Sequence, residues 1–193
     1  MSLPEIIGFI FGVAGVWLTI KENTWCFPVG LINVAVSLVL FYQQKLYSDA
    51  IQQAVYIVLL SYGWYKWVAG KDDQKDLKVS FSSVNLLSAL LISGTVFTLS
   101  AGTLFKKYTD ASLPYWDASA TALSFIAQWM IAKKKIENWV LWVIVNIMYV
   151  SIYLYKDLYL YAFLFFIYLI LAIKGWIEWR KVYALNQLPA THD

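Results

Sequence analysis

The stretches SYGWYKW (residues 61–67) and IKGWIEW (residues 173–179) decide the fold. Each closes an apolar run, and each reads Gly-Trp-x-x-Trp. Trp64 and Trp176 stand 112 positions apart. Working back from them, GLINVAVSLVLFY (30–42) aligns with VIVNIMYVSIYLY (143–155), which sets Asn33 on Asn146 and Tyr42 on Tyr155. Nearer the closing motifs Tyr47 falls on Tyr159, Ala50 on Ala162, Tyr56 on Tyr168, Gly63 on Gly175 and Trp67 on Trp179, while Trp25 matches Trp139. Apolar helices draw on few residue types, so chance similarity is the competing reading. Asn, Gly and Trp matched in order, with little drift, favour an internal repeat.

The repeat lies in a chain built for lipid. Of 193 residues, 61% are hydrophobic and 14% charged, against roughly 25% charged in soluble domains. The mean hydropathy is +0.61. A soluble fold of this length has no interior large enough for so much apolar surface, whereas runs of about 18 apolar residues span a bilayer. Hydropathy predicts an all-α, polytopic membrane protein of one domain. Seven spans fall at about 4–20, 26–43, 48–68, 83–104, 117–132, 138–155 and 157–179, followed by a polar tail at 180–193. The N-terminus MSLPEIIGF lacks the basic start of a cleavable signal peptide, so the first helix is expected to be retained. Cys26 is the single cysteine, which leaves no internal disulfide or cysteine-based metal cluster. His192, the single histidine, lies in the tail and is expected to be disordered.

Orientation follows from lysine and arginine. With the N-terminus outside, the inner segments hold Lys21, Lys66, Lys71, Lys75, Lys78, Lys133, Lys134, Lys135, Arg180 and Lys181, and the outer ones only Lys45, Lys106, Lys107 and Lys156. The bias predicts N-outside and C-inside. It also accounts for the net charge of +3 without nucleic acid as a partner; membrane lipid is the surrounding.

Three helices are an odd number, so a directly joined second copy would be inverted. The fourth span (83–104) restores the orientation between repeat one (4–68) and repeat two (117–179). The expected architecture is therefore two parallel repeats about an axis along the membrane normal, the three-plus-one-plus-three arrangement of SWEET-type transporters. In such proteins the substrate site lies near the midplane, between the repeats.

The side chains that would face this pathway are readable. Trp139, Trp142, Asn146, Tyr149 and Tyr153 recur at three- and four-residue steps, which is one face of the sixth helix. Thr121, Ser124 and Gln128 share a face of the fifth. Asn33 lies mid-span in the second helix, and Tyr56 and Tyr168 mid-span in the third and seventh. An amide turned to lipid would be unsatisfied, so Asn33, Gln128 and Asn146 are expected to face the interior. There they serve either as interhelical hydrogen-bond partners or as substrate ligands. Trp67 and Trp179, at span ends, are expected in an interfacial aromatic belt. Trp64 and Trp176, one turn deeper beside Gly63 and Gly175, are the expected gate or binding wall.

What is missing narrows the chemistry. No Asp or Glu falls at a midplane, so proton coupling lacks its usual buried group and an uncoupled facilitator is expected. No Arg or Lys lies mid-membrane to neutralise a phosphate. Trp, Tyr and amides suit a non-phosphorylated aromatic solute, and an aromatic cation in particular. No catalytic set, metal site, Walker motif or dinucleotide fingerprint is present, so the chain is not read as an enzyme and no cofactor is expected. A non-transporting membrane receptor or scaffold would share these features.

In LSFIAQW, KKIENWVLWVIVN, YKDLYL and the closing Trp-x-x-Trp, in order across residues 121–179, the sequence resembles the PnuC family of bacterial vitamin transporters. The first repeat matches more loosely. The resemblance implies a SWEET-like fold in the bacterial inner membrane and facilitated diffusion of nicotinamide riboside, trapped by a cytoplasmic kinase. Thiamine and riboflavin are carried by relatives, and the motifs do not separate these cargoes. It also implies a homotrimer, and substrate contacts at Gln128, Trp139, Trp142 and Asn146, with Asn33 and Trp64 from the first half.

Overall fold

The structure, a computed structural model, describes residues 3–43, 47–72, 77–109, 113–155 and 157–187. Among these are seven helices: α1 (Leu3–Ile20), α2 (Cys26–Gln43), α3 (Tyr47–Asp72), α4 (Val84–Tyr108), α5 (Pro114–Ala132), α6 (Asn138–Tyr155) and α7 (Tyr159–Asn186). His192, Lys45, Lys75 and Lys156 lie outside the described residues. The order and number are those expected from hydropathy, with corrections at helix ends: α3 runs past 68 to Asp72 and α5 begins at Pro114 rather than 117. The fourth helix runs past 104 to Tyr108, and the seventh continues through Arg180 and Lys181, so the tail expected from 180 is helical as far as Asn186. Lysine and arginine end a hydrophobic span but are good helix formers, so the hydrogen-bond ladder does not stop with the lipid.

α2, α4, α6 and α7 are each long and apolar enough to cross a membrane, and α1 is a shorter apolar helix. α3 and α5 are more polar: α3 carries Gln52 and Gln53 and a charged end with Lys66, Lys71 and Asp72, and α5 carries Ser119, Ser124 and Gln128.

Helix contacts close a ring. α1 packs on α2, α2 on α3, α3 on α5, α5 on α6, α6 on α7, and α7 back on α1; α4 packs outside, on α5. Exposed Val84, Leu91, Ile92, Val96 and Leu99 cover α4, as suits a face turned to lipid. The two inter-half contacts, α3 on α5 and α7 on α1, are each other's counterparts.

The same packing occurs twice at a spacing of 112. Phe27 meets Trp67 edge-on at 5.0 Å, and Trp139 meets Trp179 edge-on at 5.4 Å. The Phe27 ring lies against Gly63 and the Trp139 ring against Gly175, where a Cβ would collide with each. Glycine at both sites lets a ring approach the helix backbone. This register corrects three alignments. α2 and α6 are both 18 residues long and begin at Cys26 and Asn138. The counterpart of Trp139 is therefore Phe27, not Trp25, which is 66% exposed whereas Trp139 is 1% exposed. Likewise Asn33 corresponds to Val145, and Asn146 to Val34, one step off the expected pairing of the two amides. Tyr42 likewise corresponds to Leu154 rather than Tyr155.

A dense plug fills the lysine-rich end. Ile20, Phe27, Trp67, Val79, Ile136, Trp139 and Trp179 form one buried cluster. Trp67 and Trp179, expected in an interfacial belt, are 3% and 0% exposed and lie 6.4 Å apart within it. Their rings gain more from Phe27 and Trp139 than from the headgroup zone. The Trp67 indole N–H donates to the Ile131 carbonyl at 3.2 Å. The linker before α4 straps this end. Ser80 N–H donates to the Lys134 carbonyl and Ile136 N–H to the Ser80 carbonyl, both at 3.1 Å. Glu137 accepts from Ser82 N–H at 2.7 Å.

Candidate functional site

Inside the ring is a cavity of about 560 Å³. It runs from the plug toward the opposite end, bounded by α1, α2, α3, α5, α6 and α7. Its volume falls in the ordinary range for small-molecule sites. Each wall is a stripe at helical spacing. α6 contributes Trp139, Trp142, Asn146, Tyr149 and Tyr153, the face read from the sequence. α5 contributes Ser124 and Gln128; the Ser124 hydroxyl donates to the Ala120 carbonyl at 2.7 Å. α2 adds Asn33 and Ser37, and α7 adds Tyr161, Phe165 and Tyr168.

Of the expected site residues, Asn33, Tyr56, Gln128, Trp139, Trp142, Asn146, Tyr149 and Tyr168 line the cavity. All three amides face inward, and Gln128 and Asn146 are buried. Tyr168 reaches across from α7 to set its hydroxyl against Gly12 of α1, beside the Asn33 amide. Trp64 and Trp176 are not brought to the cavity. Trp64 is 41% exposed on the outer face of α3. Trp176 packs against the plug, with the Arg180 guanidinium 5.6 Å from its ring. Their motif is therefore a packing signature: its glycine and second tryptophan are buried in both copies, and its first tryptophan lies outside the cavity, exposed at Trp64 and half-buried at Trp176.

Tyr56 and Trp64 are the α3 residues expected at the site, yet Asp49, Gln52, Gln53 and Leu60 line the cavity beside Tyr56. Their steps of three and four, in a helix otherwise made for lipid, are the signal that was available. Asp49 stands in the first turn of α3, at the edge of its apolar run, and the cavity extends that far.

The aromatic side is a connected set of rings. Tyr149 stacks on Tyr153 at 6.0 Å and tilts on Phe165 at 4.7 Å. Tyr153 lies 5.4 Å from Tyr161 and 5.3 Å from Phe165, and Phe165 meets Tyr168 edge-on at 5.7 Å. Such a wall can hold a flat ring by stacking, with the amides of the lining available to bind hydroxyls or a carboxamide. No Lys or Arg among the described residues lines the cavity. Among the described residues no group of His, Cys, Asp and Glu is arranged to hold a metal ion.

Residues 2–181 match the family model described as nicotinamide mononucleotide transporter. The chain is 25% identical over 204 residues to the nicotinamide riboside transporter PnuC of Escherichia coli, covering 93% of this chain and 85% of that one. It is 29% identical over 178 residues to the riboflavin/roseoflavin transporter RibM of Streptomyces davaonensis, covering 91% and 83%. Among solved structures, the crystal structure of the vitamin B3 transporter PnuC superposes with a TM-score of 0.75 at 20% identity, over 93% of this chain and 81% of that one.

Proposed function

The chain belongs to the nicotinamide mononucleotide transporter family, a family of multi-pass membrane transporters rather than enzymes, and from that premise we propose that it moves a non-phosphorylated aromatic vitamin precursor across the bacterial inner membrane. The observation that carries the reading is the cavity itself: aromatic rings and three amides line it together, and among the described residues no Lys or Arg does. A phosphate in this low-dielectric space would have no counter-charge. That argues for the riboside over the mononucleotide of the family's description. Nicotinamide riboside is the first candidate cargo, with a carboxamide and ribose hydroxyls for Asn33, Gln128 and Asn146. Thiamine and riboflavin are the alternatives, the latter in line with the RibM similarity.

The transport cycle is alternating access between two like-oriented halves of SWEET type. The conformation described is plugged at its lysine-rich end, which we assign to the cytoplasm with the C-terminus, leaving the N-terminus outside. Movement is downhill, and a cytoplasmic kinase supplies the drive by trapping the product. The functional unit is a homotrimer, and each protomer holds its own cavity.

Uptake of labelled nicotinamide riboside into proteoliposomes tests this reading. Flux should be downhill alone and become accumulative when a riboside kinase and ATP are enclosed. A receptor or scaffold would bind without flux. Concentrative uptake driven by a proton or sodium gradient without kinase would refute the uncoupled mechanism.

A further inference from the structure

The two seams between the halves, α1 on α7 and α3 on α5, end alike at the lysine-rich side. Lys21, just past α1, holds its ammonium 5.7 Å from the centre of the Trp17 ring, and Lys174 of α7 comes to the same ring from the other half at 4.1 Å. In the second seam Lys66 of α3 lies 5.9 Å from the Tyr62 ring, and Lys133, just past α5, reaches that ring from the other half at 5.5 Å. Trp17 and Lys21 stand 112 positions before Trp129 and Lys133, and Tyr62 stands 112 before Lys174, so the feature belongs to the repeat. Each seam thus gathers on one ring two ammoniums, one from each half.

These charges are not balanced within the chain. Among the described residues Glu22 is paired with Lys134 and Glu178 with Lys181, Glu137 accepts from Ser82, and Lys21, Lys66, Lys133 and Lys174 make no ion pair. A ring face occupies one side of an ammonium and leaves N–H donors free on the other. Hydrocarbon-facing residues flank the same points. Exposed Ile170 and Ile177 stand one turn to either side of Lys174, and their counterparts 112 positions earlier, exposed Val58 and Tyr65, stand one turn to either side of Tyr62.

We propose that each seam is a site for an anionic phospholipid of the leaflet at the lysine-rich end. Its phosphodiester bridges Lys21 and Lys174 in one seam and Lys66 and Lys133 in the other, and its acyl chains lie along the exposed helix faces beside them. Phosphate between two ammoniums in a partly desolvated crevice makes charge-assisted hydrogen bonds, and basic pockets between spanning helices are suited to such headgroups. Because the two lysines of a pair come from different halves, a headgroup that holds both ties the halves together where the plug sits and favours the plugged conformation. An ordinary interfacial belt of lysine and tryptophan would also sit at this depth. That role spreads over all basic residues near the surface and does not single out the cross-half pairs.

Thermal unfolding of the full chain in neutral detergent with added lipid separates the two. Phosphatidylglycerol is the anionic probe, phosphatidylcholine the zwitterionic one, and sodium phosphate, against chloride of equal ionic strength, the free anion. Phosphatidylglycerol should raise the wild-type midpoint by about 3 °C or more over phosphatidylcholine at the same mole fraction. Lys21→Gln/Lys174→Gln should lose about half of that shift, and adding Lys66→Gln and Lys133→Gln the rest, since the seams are equivalent by the repeat. Lys21→Arg/Lys174→Arg should keep it. Lys106→Gln/Lys107→Gln is the control: it removes the same charge at the other end of the bundle, where Lys107 also meets a ring, that of Tyr108 at 5.2 Å, and it should keep the whole shift. The proposal is overturned if the two lipids act alike, if the folded seam variants keep the shift, if the Lys106 and Lys107 variant loses as much as they do, or if sodium phosphate alone reproduces it, which would mean a free-anion site. Should the paired variants fail to fold, Lys174→Gln decides in their place, and an unchanged shift there overturns the proposal. No cargo enters these measurements, so their failure leaves the transporter reading standing.

Discussion

Glu22 and Lys134 form an ion pair at 2.7 Å, and they stand 112 positions apart. Each is also the left-handed residue of its turn, with φ of 51° at Glu22 and 49° at Lys134. That conformation is unfavourable for a residue with a Cβ, so one unusual turn closes both α1 and α5. The two turns touch, which sets the α1–α2 and α5–α6 loops at the same end. The Lys134 ammonium also lies 4.7 Å from the centre of the Trp67 ring, which links the turns to the plug.

The first prediction concerns this link. The two side chains are 16% and 22% exposed, between a surface pair and a buried one. Lys134→Ala should therefore destabilise the protein by about 1–2 kcal/mol. Glu22→Gln should cost less, because Lys134 keeps its contact with Trp67. A double-mutant cycle by thermal unfolding in detergent should give a coupling of about 1 kcal/mol. A coupling near zero would mean that the strap through Ser80 and Glu137 holds this end without help from the pair.

Cys26 supplies a probe of the same end. It is the chain's one cysteine, buried where the plug meets the cavity. A membrane-impermeant maleimide added from the lysine-rich side can reach it only when the plug opens. Wild type should label slowly, and Lys134→Ala about tenfold faster, as a loss of about 1.4 kcal/mol implies for local opening. Equal rates in the two proteins would show that the ion pair does not hold the plug shut.

Much of this was legible in the sequence, for one physical reason: lipid imposes long apolar runs and forces buried amides inward. The helices and the inward face of α6 follow from that, as do Ser124 and Gln128 of α5, whereas Thr121, read on the same face, does not line the cavity; the resemblance in residues 121–179 rests on motifs, and the family match agrees with it. The rest depends on which neighbour a side chain meets. Trp64 and Trp67 are three positions apart and both stand near a helix end; only the packing of α3 on α2 and α5 decides that one is buried and the other is not. Asp49 stands at the edge of an apolar run, and hydropathy locates the edge of the lipid, not the depth of a cavity. The Asn33–Asn146 alignment matched polar residues, whereas the packing repeats ring against glycine.

Trp142 and Asn146 stand on the cavity face of α6, so their loss should be read in binding. Asn146→Ala and Trp142→Ala should each weaken nicotinamide riboside binding about five- to tenfold, the scale of one hydrogen bond or one ring contact. Both variants should stay monodisperse on size exclusion. Trp64→Ala is the control. Its side chain lies outside the cavity, so affinity should be unchanged. If Trp64→Ala loses affinity as much as Trp142→Ala, the cavity is not the binding site.

The last prediction turns on a sign. Alanine is favoured over glycine in a helix by about 1 kcal/mol, so propensity alone says that Gly175→Ala should stabilise α7. Packing says the opposite. A Cβ at Gly175 would come within 2.5 Å of the Trp139 ring. That ring cannot withdraw, because Trp139 is buried and wedged edge-on against Trp179. Overpacking of a rigid core costs about 1–3 kcal/mol, which outweighs the gain in propensity. Gly63→Ala faces the same conflict with Phe27, held by Trp67. Both variants should therefore unfold at lower temperature than wild type. A raised melting temperature in either would mean that its ring does not sit against the helix backbone, and that the paired packing of the two halves is looser than described.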